Sequence, residues 1–207
     1  MDSRNRRHRK DANPKIIGAV ILAAGVSNRL GMSKQMLEFR GEPLVRRAAS
    51  AASQAGCSPV VVVTGATAEA THHALRKLNV REVENQQWQS GLSSSIRAGV
   101  AAVIKANERT DAVVLMLCDQ PFVTREVIGK LINAHRETGC SIVASSYGDS
   151  FGVPALFEKS HYRELMVLEG AVGAKQIIQK HLARAKLVNF PEGAIDIDTP
   201  DDLARLD

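Results

Sequence analysis

The 207-residue sequence has few of the features that mark specialised structural classes. Its three cysteines are odd in number and widely spaced, which excludes a disulfide scaffold and predicts reduced thiols in a cytoplasmic protein. No apolar run approaches the roughly 20 residues that span a bilayer, so a transmembrane protein is excluded. The N-terminus has no apolar stretch behind its charges and does not resemble a secretory signal. What remains, with 44% hydrophobic and 24% charged residues, is typical of one globular domain.

The net charge of +5 suggests a polyanion as partner, but most of this charge lies in one short segment. Residues 1–15 contain six basic and two acidic residues, which leaves 21 basic and 20 acidic residues in 16–207. The segment could bind nucleic acid or a membrane surface. Because chain termini are so often unpacked, we expect instead a disordered extension, with neither nucleic acid nor a membrane as partner.

The rest of the sequence alternates between apolar runs and amphipathic segments. This alternation predicts βαβ units in a single α/β domain, with a largely parallel sheet covered by helices on both faces. Thr67 and Thr124 are predicted N-caps, and Gly139 is a predicted helix stop. The predicted strands are 16–22, 59–63, 80–83, 112–117, 141–145, 153–157 and 186–190; the predicted helices are 43–55, 67–78, 92–105, 124–138, 159–168, 171–182 and a terminal helix from 200.

The first segment with chemical potential, LAAGVSNRLGMSK, begins at Leu22 and follows the first buried strand. Small residues such as Gly25 let backbone N–H groups approach an anion closely, and Arg29 and Lys34 add two cations suited to a polyphosphate. The spacing GxxxxxGxxK matches neither the P-loop nor the dinucleotide fingerprint. A βα loop with surface cations is the alternative, but this combination favours phosphate binding.

Two acidic segments suggest a metal site. CDQP, containing Asp119, directly follows the buried strand AVVLML, and a divalent cation that bridges substrate phosphates is a natural partner for a carboxylate there. A role for Asp119 as the N-cap of the following helix is less favoured, since Thr124 is already predicted to cap that helix. DIDTPDDL, at 196–203, holds Asp198, but on local grounds its last two aspartates fit the start of a helix, and Asp198 stays open.

A fourth segment, NQQWQSGLSSSIRAG at 85–99, has consecutive serines at the start of a predicted helix. These could offer hydroxyl and backbone donors to a ligand at the positive end of the helix dipole. Ordinary capping explains the composition equally well. We assign no chemical role to Trp88.

Together the four segments resemble the nucleotidyltransferases related to molybdopterin-guanine dinucleotide synthesis, and more closely the molybdenum cofactor cytidylyltransferases. The resemblance covers nearly all of 17–207. LAAGVSNRLGMSK is similar to LAAGxSxRMGxxK, NQQWQSGLSSSIRAG to NxxWxxGxxxSxxxG, CDQP to GDQP, and DIDTPDDL to D-[IV]-[DN]-T-P-x-D-L. It implies a Rossmann-like nucleotidyltransferase fold over 16–207, with a mixed sheet in which one strand is reversed.

The resemblance also implies a reaction: transfer of a nucleotidyl group from an NTP to an acceptor phosphate, with release of pyrophosphate. CTP is the expected donor, because the serine-rich segment resembles the cytidylyl-transferring relatives, and molybdopterin is the expected acceptor. A molybdoenzyme that receives the cofactor is a further expected partner. The resemblance implies that the catalytic residues are Arg29, Lys34 and Asp119, and that Asp119 and Asp198 bind Mg²⁺. It also implies that the nucleotide is bound by Leu22, Ala23, Ala24, Gly25, Ser95 and Gly99, with Gly91 shaping the segment.

Two departures lie where the resemblance places the acceptor. Val153 stands at the middle position of the family's G-[HN]-P, and Ala171 and Lys175 replace the Asp and Arg of GDxGAR. The identity of the acceptor is therefore left open, and GTP is kept as an alternative donor to CTP. A non-catalytic protein that binds nucleotide or molybdenum cofactor and hands it on is an alternative of a different class.

Overall fold

A computed structural model describes residues 14–25, 33–197 and 202 of the chain. Within this part, nine strands form one large sheet and one small hairpin. In chain order they are β1 (Ile17–Ala23), β2 (Glu38–Phe39), β3 (Glu42–Pro43), β4 (Val60–Thr64), β5 (Arg81–Glu84), β6 (Ala112–Leu117), β7 (Ile142–Tyr147), β8 (Ser150–Glu158) and β9 (Lys186–Asn189).

The large sheet has the order β5-β4-β1-β6-β8-β7-β9. β8 runs antiparallel to both of its neighbours, and every other pairing in this sheet is parallel. The predicted mixed sheet with one reversed strand is thus confirmed. β2 and β3, which pair only with each other, were not predicted, because two-residue strands carry no periodic signal.

Helices cover both faces of the sheet, as predicted. They are α1 (Leu44–Gln54), α2 (Ala68–Leu75), α3 (Leu92–Ala106), α4 (Arg125–Thr138), α5 (Tyr162–Met166) and α6 (Lys175–Lys180). β1 shows why its apolar run is continuous: Ala19 and Ile21 pack in the cluster with α1 and α4, whereas Val20 and Leu22 pack in the cluster with α3, α5 and α6. A strand buried on both faces needs apolar residues at every position.

The predicted helix bounds lie within one residue of the observed ends of α1, α3 and α4, whereas α2, α5 and α6 are shorter than predicted. Thr124 caps α4 by accepting from the N–H of Val127, and Gly139 ends it with a φ of 68°. Thr67 precedes α2 but makes no capping bond, since its hydroxyl is paired with Ser33. The predicted helix 171–182 is shorter in the structure, where α6 (Lys175–Lys180) is the only α-helix in this range.

The loop between α5 and α6 is longer than predicted. Gly170 adopts a φ of 65°, a left-handed conformation that interrupts a helix, and the chain between α5 and α6 runs as a loop. The predicted terminal helix from 200 lies outside the described residues except for Asp202, which is helical. In the described part, no helix has both the length and the apolar character needed to cross a membrane.

Candidate active site

A cleft of about 470 Å³ opens at the carboxyl ends of β1 and β6, where ligands bind in open α/β sheets. It has two walls. We call the first the sheet wall; it consists of Leu22, Ala23, Ala24, Gly25, Lys34, Gln35, Leu117, Cys118 and Asp119. We call the second the helix wall; it consists of Trp88, Gln89, Gly91, Leu92 and Ser95 at the start of α3.

The exit of β1 is held in place by a side chain that was not predicted. Gln35 is 2% exposed, and its Nε2 donates to the carbonyl oxygens of Ala23 at 2.7 Å and Gly25 at 2.5 Å. Its Oε1 accepts from the hydroxyl of Ser33 at 2.5 Å. A buried amide with both ends bonded fixes the backbone it contacts. Gln35 therefore fixes the backbone of Ala23 and Gly25, at the beginning of the segment that was predicted to hold phosphates.

Asp119 and Lys34 meet in the sheet wall. Lys34 Nζ lies 3.3 Å from Asp119 Oδ2, and the two side chains are 22% and 20% exposed. Oδ1 of Asp119 is buried and has no hydrogen-bond partner among the described residues. Ile197, directly before Asp198 in the sequence, donates its N–H to the carbonyl oxygen of Asp119 at 3.0 Å. A carboxylate oxygen buried without a donor suits a hard divalent cation, whose ligands are oxygens.

The neighbours of Asp119 are structural. Burial, and after it the charge of Asp119, raises the pKa of the Cys118 thiol far above its usual range, so this sulfur is a neutral thiol and not a nucleophile. Gln120 is buried and donates from Nε2 to the carbonyl oxygens of Gly193 at 2.9 Å and Val153 at 3.3 Å. The CDQP segment is thereby joined to β8, where Val153 departs from the family pattern.

A hydrogen-bond network shapes the helix wall. Asn85 Nδ2 donates to Ser94 Oγ at 2.8 Å and to Ser95 Oγ at 3.0 Å. Ser94 in turn donates to backbone carbonyls, those of Gln87 and Gly91. The Ser95 hydroxyl accepts from Asn85, and its own proton has no acceptor within the described part of the chain. Because Ser95 lines the cleft, that proton can be donated to a ligand.

The helix wall touches the loop between α5 and α6. Gly91 has a φ of 100°, and a Cβ there would lie 2.4 Å from the carbonyl oxygen of Gly170, so only glycine fits. Ser93 donates from Oγ to the same oxygen at 2.7 Å. Ala171, the residue after Gly170, thus lies beside Gly91 of the helix wall. Lys175 is turned elsewhere, donating to Ser150 Oγ at 2.8 Å.

Gly99, which was predicted to bind the nucleotide, packs against the sheet. This residue is not part of the cleft, and a Cβ there would come within 2.3 Å of Val20 Cγ1 and 3.0 Å of Val63 Cγ2. Gly99 instead lets α3 approach β1 and β4 closely.

Of the other predicted site residues, six line the sheet wall and one lines the helix wall. Leu22, Ala23, Ala24, Gly25, Lys34 and Asp119 lie in the sheet wall, and Ser95 in the helix wall. Arg29 and Asp198 lie outside the described residues. Trp88 lines the cleft although composition favoured no role for it; its position in the NxxWxxG pattern was the available signal.

The fold is the first evidence of class: a nucleotidyl transferase from Methanothermobacter thermautotroptrophicus has the same fold, superposing with a TM-score of 0.78 at 24% identity. Residues 19–185 match the MobA-like NTP transferase domain, and the chain belongs to this family. It is 30% identical to the nicotine blue oxidoreductase of Paenarthrobacter nicotinovorans over 95% of this chain and 98% of that protein. It is 25% identical to the molybdenum cofactor cytidylyltransferase of Escherichia coli K12, covering 90% and 93% of the two chains.

A solved structure agrees with these relationships. Rv0371c from Mycobacterium tuberculosis H37Rv, in complex with manganese, superposes with a TM-score of 0.73 and 28% identity, covering 93% of this chain and 98% of that one. The relatives differ in their named activities, so family membership establishes the nucleotidyltransferase domain and leaves the substrates to be inferred from the site.

Proposed function

We propose that this protein is a Mg²⁺-dependent cytidylyltransferase, which transfers CMP from CTP to the phosphate of molybdopterin and releases pyrophosphate. The observation that carries the proposal is the pairing of Lys34 and Asp119 in the sheet wall, with Asp119 Oδ1 buried and without a donor in the described chain. One cation and one carboxylate with an unused oxygen are what a metal–triphosphate complex requires.

The sheet wall would hold the triphosphate. Gln35 bonds the carbonyl oxygens of Ala23 and Gly25, which reduces their repulsion of phosphate oxygens close to this backbone. Lys34 brings a compact positive charge, and Arg29 is proposed to add a second, planar cation. Leu22 and Ala24 complete an apolar floor that excludes water beneath the phosphates.

Asp119 is proposed as a Mg²⁺ ligand together with Asp198. The bond from the Ile197 N–H to the Asp119 carbonyl supports this pair, because it ties the chain directly before Asp198 to the same corner of the cleft. The manganese complex of the Mycobacterium tuberculosis relative supports a hard divalent cation in this family. When bound, the ion would neutralise charge on the triphosphate and on the departing pyrophosphate.

The helix wall would hold the nucleoside. Ser95 can donate its hydroxyl proton to an oxygen of the base or ribose, and the Trp88 side chain lines the same wall. The serine-rich start of α3, which resembles that of the cytidylyl-transferring relatives, supports CTP as the donor.

The transfer needs positioning rather than a protein nucleophile. A phosphate oxygen of molybdopterin attacks the α-phosphorus of CTP in line, a new P–O bond forms, and the bond to the β-phosphate oxygen breaks. The electron pair leaves with pyrophosphate, whose charge Lys34 and Arg29 would offset. The neutral Cys118 thiol has no part in these steps.

A release assay tests the proposal: purified protein, Mg²⁺ and molybdopterin are mixed with each NTP in turn, and pyrophosphate is measured. We expect release with CTP only, and only when both metal and molybdopterin are present. Release with GTP in place of CTP would contradict the donor assignment, and no release with any NTP would contradict transfer to molybdopterin.

A second candidate is the same chemistry with a different acceptor. Its basis is the segment where the resemblance places the acceptor: Ala171 replaces the family's Asp there, and Lys175 replaces its Arg and donates to Ser150 instead. CTP-dependent pyrophosphate release that occurs with another phosphorylated compound and not with molybdopterin would favour it. Tight molybdopterin binding with no release at all would favour the non-catalytic carrier.

A further inference from the structure

A second cluster of metal-ligating side chains lies at the edge of the sheet opposite the cleft. β8 is antiparallel to β6, with Glu158 paired to Ala112, so the chain after β8 emerges at the amino-terminal edge of the parallel strands. His161 follows β8 there, Glu164 lies in α5 and His181 follows α6. The cluster belongs to neither wall of the cleft.

The three side chains present their ligand atoms to one another. Glu164 Oε1 lies 3.0 Å from His161 Nδ1 and 3.0 Å from His181 Nε2, and one ligand atom from each residue lies within 4.8 Å of the others. In a tetrahedral zinc site with bonds of about 2.1 Å, ligand atoms are separated by about 3.4 Å. Glu164 Oε1 would move away from each of the two imidazole nitrogens by only a few tenths of an ångström to admit an ion between them.

We propose that His161, Glu164 and His181 form a binding site for a divalent transition metal ion, with Zn²⁺ as its best match. Two imidazoles and one carboxylate are a donor set for zinc or a similar metal, whereas Mg²⁺ prefers oxygen ligands throughout. The side chains of Glu164 and His181 are 27% and 29% exposed, so water can reach the ion and supply a fourth ligand.

A further hydrogen bond orients the most buried of the three ligands. His161 Nε2 lies 2.9 Å from Ser141 Oγ, which leaves Nδ1 directed at Glu164. Metal-binding histidines characteristically use the second ring nitrogen in this way, because the bond fixes the ring and the tautomer. Ser141 therefore acts as a positioning residue for the site.

Lys180 opposes metal binding. Its Nζ donates to Glu164 Oε2 at 2.7 Å, so a cation already occupies one oxygen of the carboxylate. Oε1 remains directed at both histidines. Removing the Lys180 charge should consequently strengthen the site, a result that a purely structural ion-pair network would not give.

Metal binding would affect the loop between α5 and α6. Glu164 and His181 lie on either side of this loop in the sequence, and the loop carries Gly170, which contacts Gly91 and Ser93 at the helix wall. An ion joining Glu164 to His181 would fasten both ends of the loop from the far side of the domain. The site is thus proposed as a structural centre.

The test titrates the full-length protein with Co²⁺ and with Zn²⁺, in the presence of excess Mg²⁺ to occupy oxygen-ligand sites. We expect one Co²⁺ per chain with the visible absorption bands of a tetrahedral N/O environment, displaced by Zn²⁺. Absence of such bands in the unmodified protein would overturn the proposal whatever the behaviour of variants.

Four variants sharpen the result. His181→Ala and Glu164→Gln should each weaken Co²⁺ binding more than tenfold, Ser141→Ala about tenfold, and Lys180→Met should strengthen it about two- to fivefold. His72→Ala is the matched control, since His72 forms a two-residue pair with Glu82 at 2.9 Å. Unchanged binding in a folded His181→Ala protein, or equal losses in His72→Ala, would contradict the assignment.

Discussion

The two walls of the cleft differ in charge and in the way they are held. The sheet wall carries Lys34 and Asp119 on loops that leave buried parallel strands, and Gln35 fixes its backbone from within. The helix wall has no charged side chain among its lining residues and is shaped by Asn85 and by contact with Gly170. The difference indicates a division of labour: the sheet wall would supply charge for phosphoryl chemistry, and the helix wall would select the nucleoside.

The largest effect is expected from Asp119→Asn in the sheet wall. The substitution keeps the shape and removes the charge that a divalent cation requires, so we expect kcat to fall by about 10³-fold for every NTP accepted. Steady-state pyrophosphate release measures this, with circular dichroism as the check on folding. A folded Asp119→Asn protein with near-normal kcat would refute the charge assigned to this wall.

Lys34→Met should lower kcat/KM by about 10²-fold, because Lys34 is one of the cations proposed to hold the triphosphate. The loss should again be independent of the base. Steady-state kinetics measure the loss for CTP, and the inhibition constants of ATP, GTP and UTP as competitors of CTP measure the loss for the other bases. A loss confined to CTP would mean that the sheet wall contributes to selectivity, and the division between the walls would be wrong.

Gly91→Ala should disrupt the helix wall. A Cβ at this position would lie 2.4 Å from the carbonyl oxygen of Gly170, at a φ of 100°, so we expect a loss of about 1–3 kcal/mol in the free energy of unfolding. Gly41→Ala is the matched control: its φ is 75°, but a Cβ there meets nothing within 4 Å.

Chemical denaturation of the two glycine variants separates the cost of backbone strain at a positive φ from the cost of the steric clash with Gly170. Gly91→Ala should be the less stable, and it alone should raise KM for the nucleotide. Equal stabilities would show that the contact with Gly170 contributes nothing to the wall.

Ser95→Ala tests nucleoside selection with a smaller expected effect. Ser95 has a hydroxyl proton to donate into the cleft, so its loss should lower kcat/KM for CTP about five- to tenfold, equivalent to one hydrogen bond. Ser94→Ala is the control, because Ser94 also accepts from Asn85 but does not line the cleft. A larger effect of Ser94→Ala on kcat/KM would contradict the role given to Ser95.

The smallest effect is expected from Ala171→Asp, which restores the family residue beside the helix wall. We expect KM for the acceptor to change a fewfold while KM for CTP stays constant, because residue 171 adjoins the helix wall and belongs to the segment where the family resemblance places the acceptor. Initial rates with each substrate varied in turn measure the two constants. A change in KM for CTP alone would place this residue on the donor side instead.

How much could be predicted from the sequence also differs between the walls. Ile17–Ala23 and Ala112–Leu117 are apolar at every position, so the strands, their parallel pairing and the location of the cleft follow from local pattern. Asp119 lies two residues after Ala112–Leu117, and Lys34 lies eleven residues after Ile17–Ala23, at the end of the segment that was predicted to bind phosphate. Gln35 was missed, because its importance comes from two carbonyl oxygens 10 and 12 residues earlier in the chain, a contact that no periodicity encodes.

The helix wall was less predictable because long-range contacts shape it. Gly91 is required by a carbonyl oxygen at residue 170, and Gly99 by side chains on β1 and β4. A glycine in a sequence motif indicates a close approach but does not identify what approaches. For this reason the packing of Gly99 between α3 and the sheet could not be predicted from its place in the motif.

The most direct test of the central claim is the identity of the product when CTP and GTP compete. The protein is incubated with equal concentrations of both nucleotides, Mg²⁺ and molybdopterin, and the products are analysed by mass spectrometry. The account predicts molybdopterin carrying one CMP, formed together with pyrophosphate and absent with the Asp119→Asn protein. Molybdopterin carrying GMP, or unmodified molybdopterin after complete incubation, would contradict it.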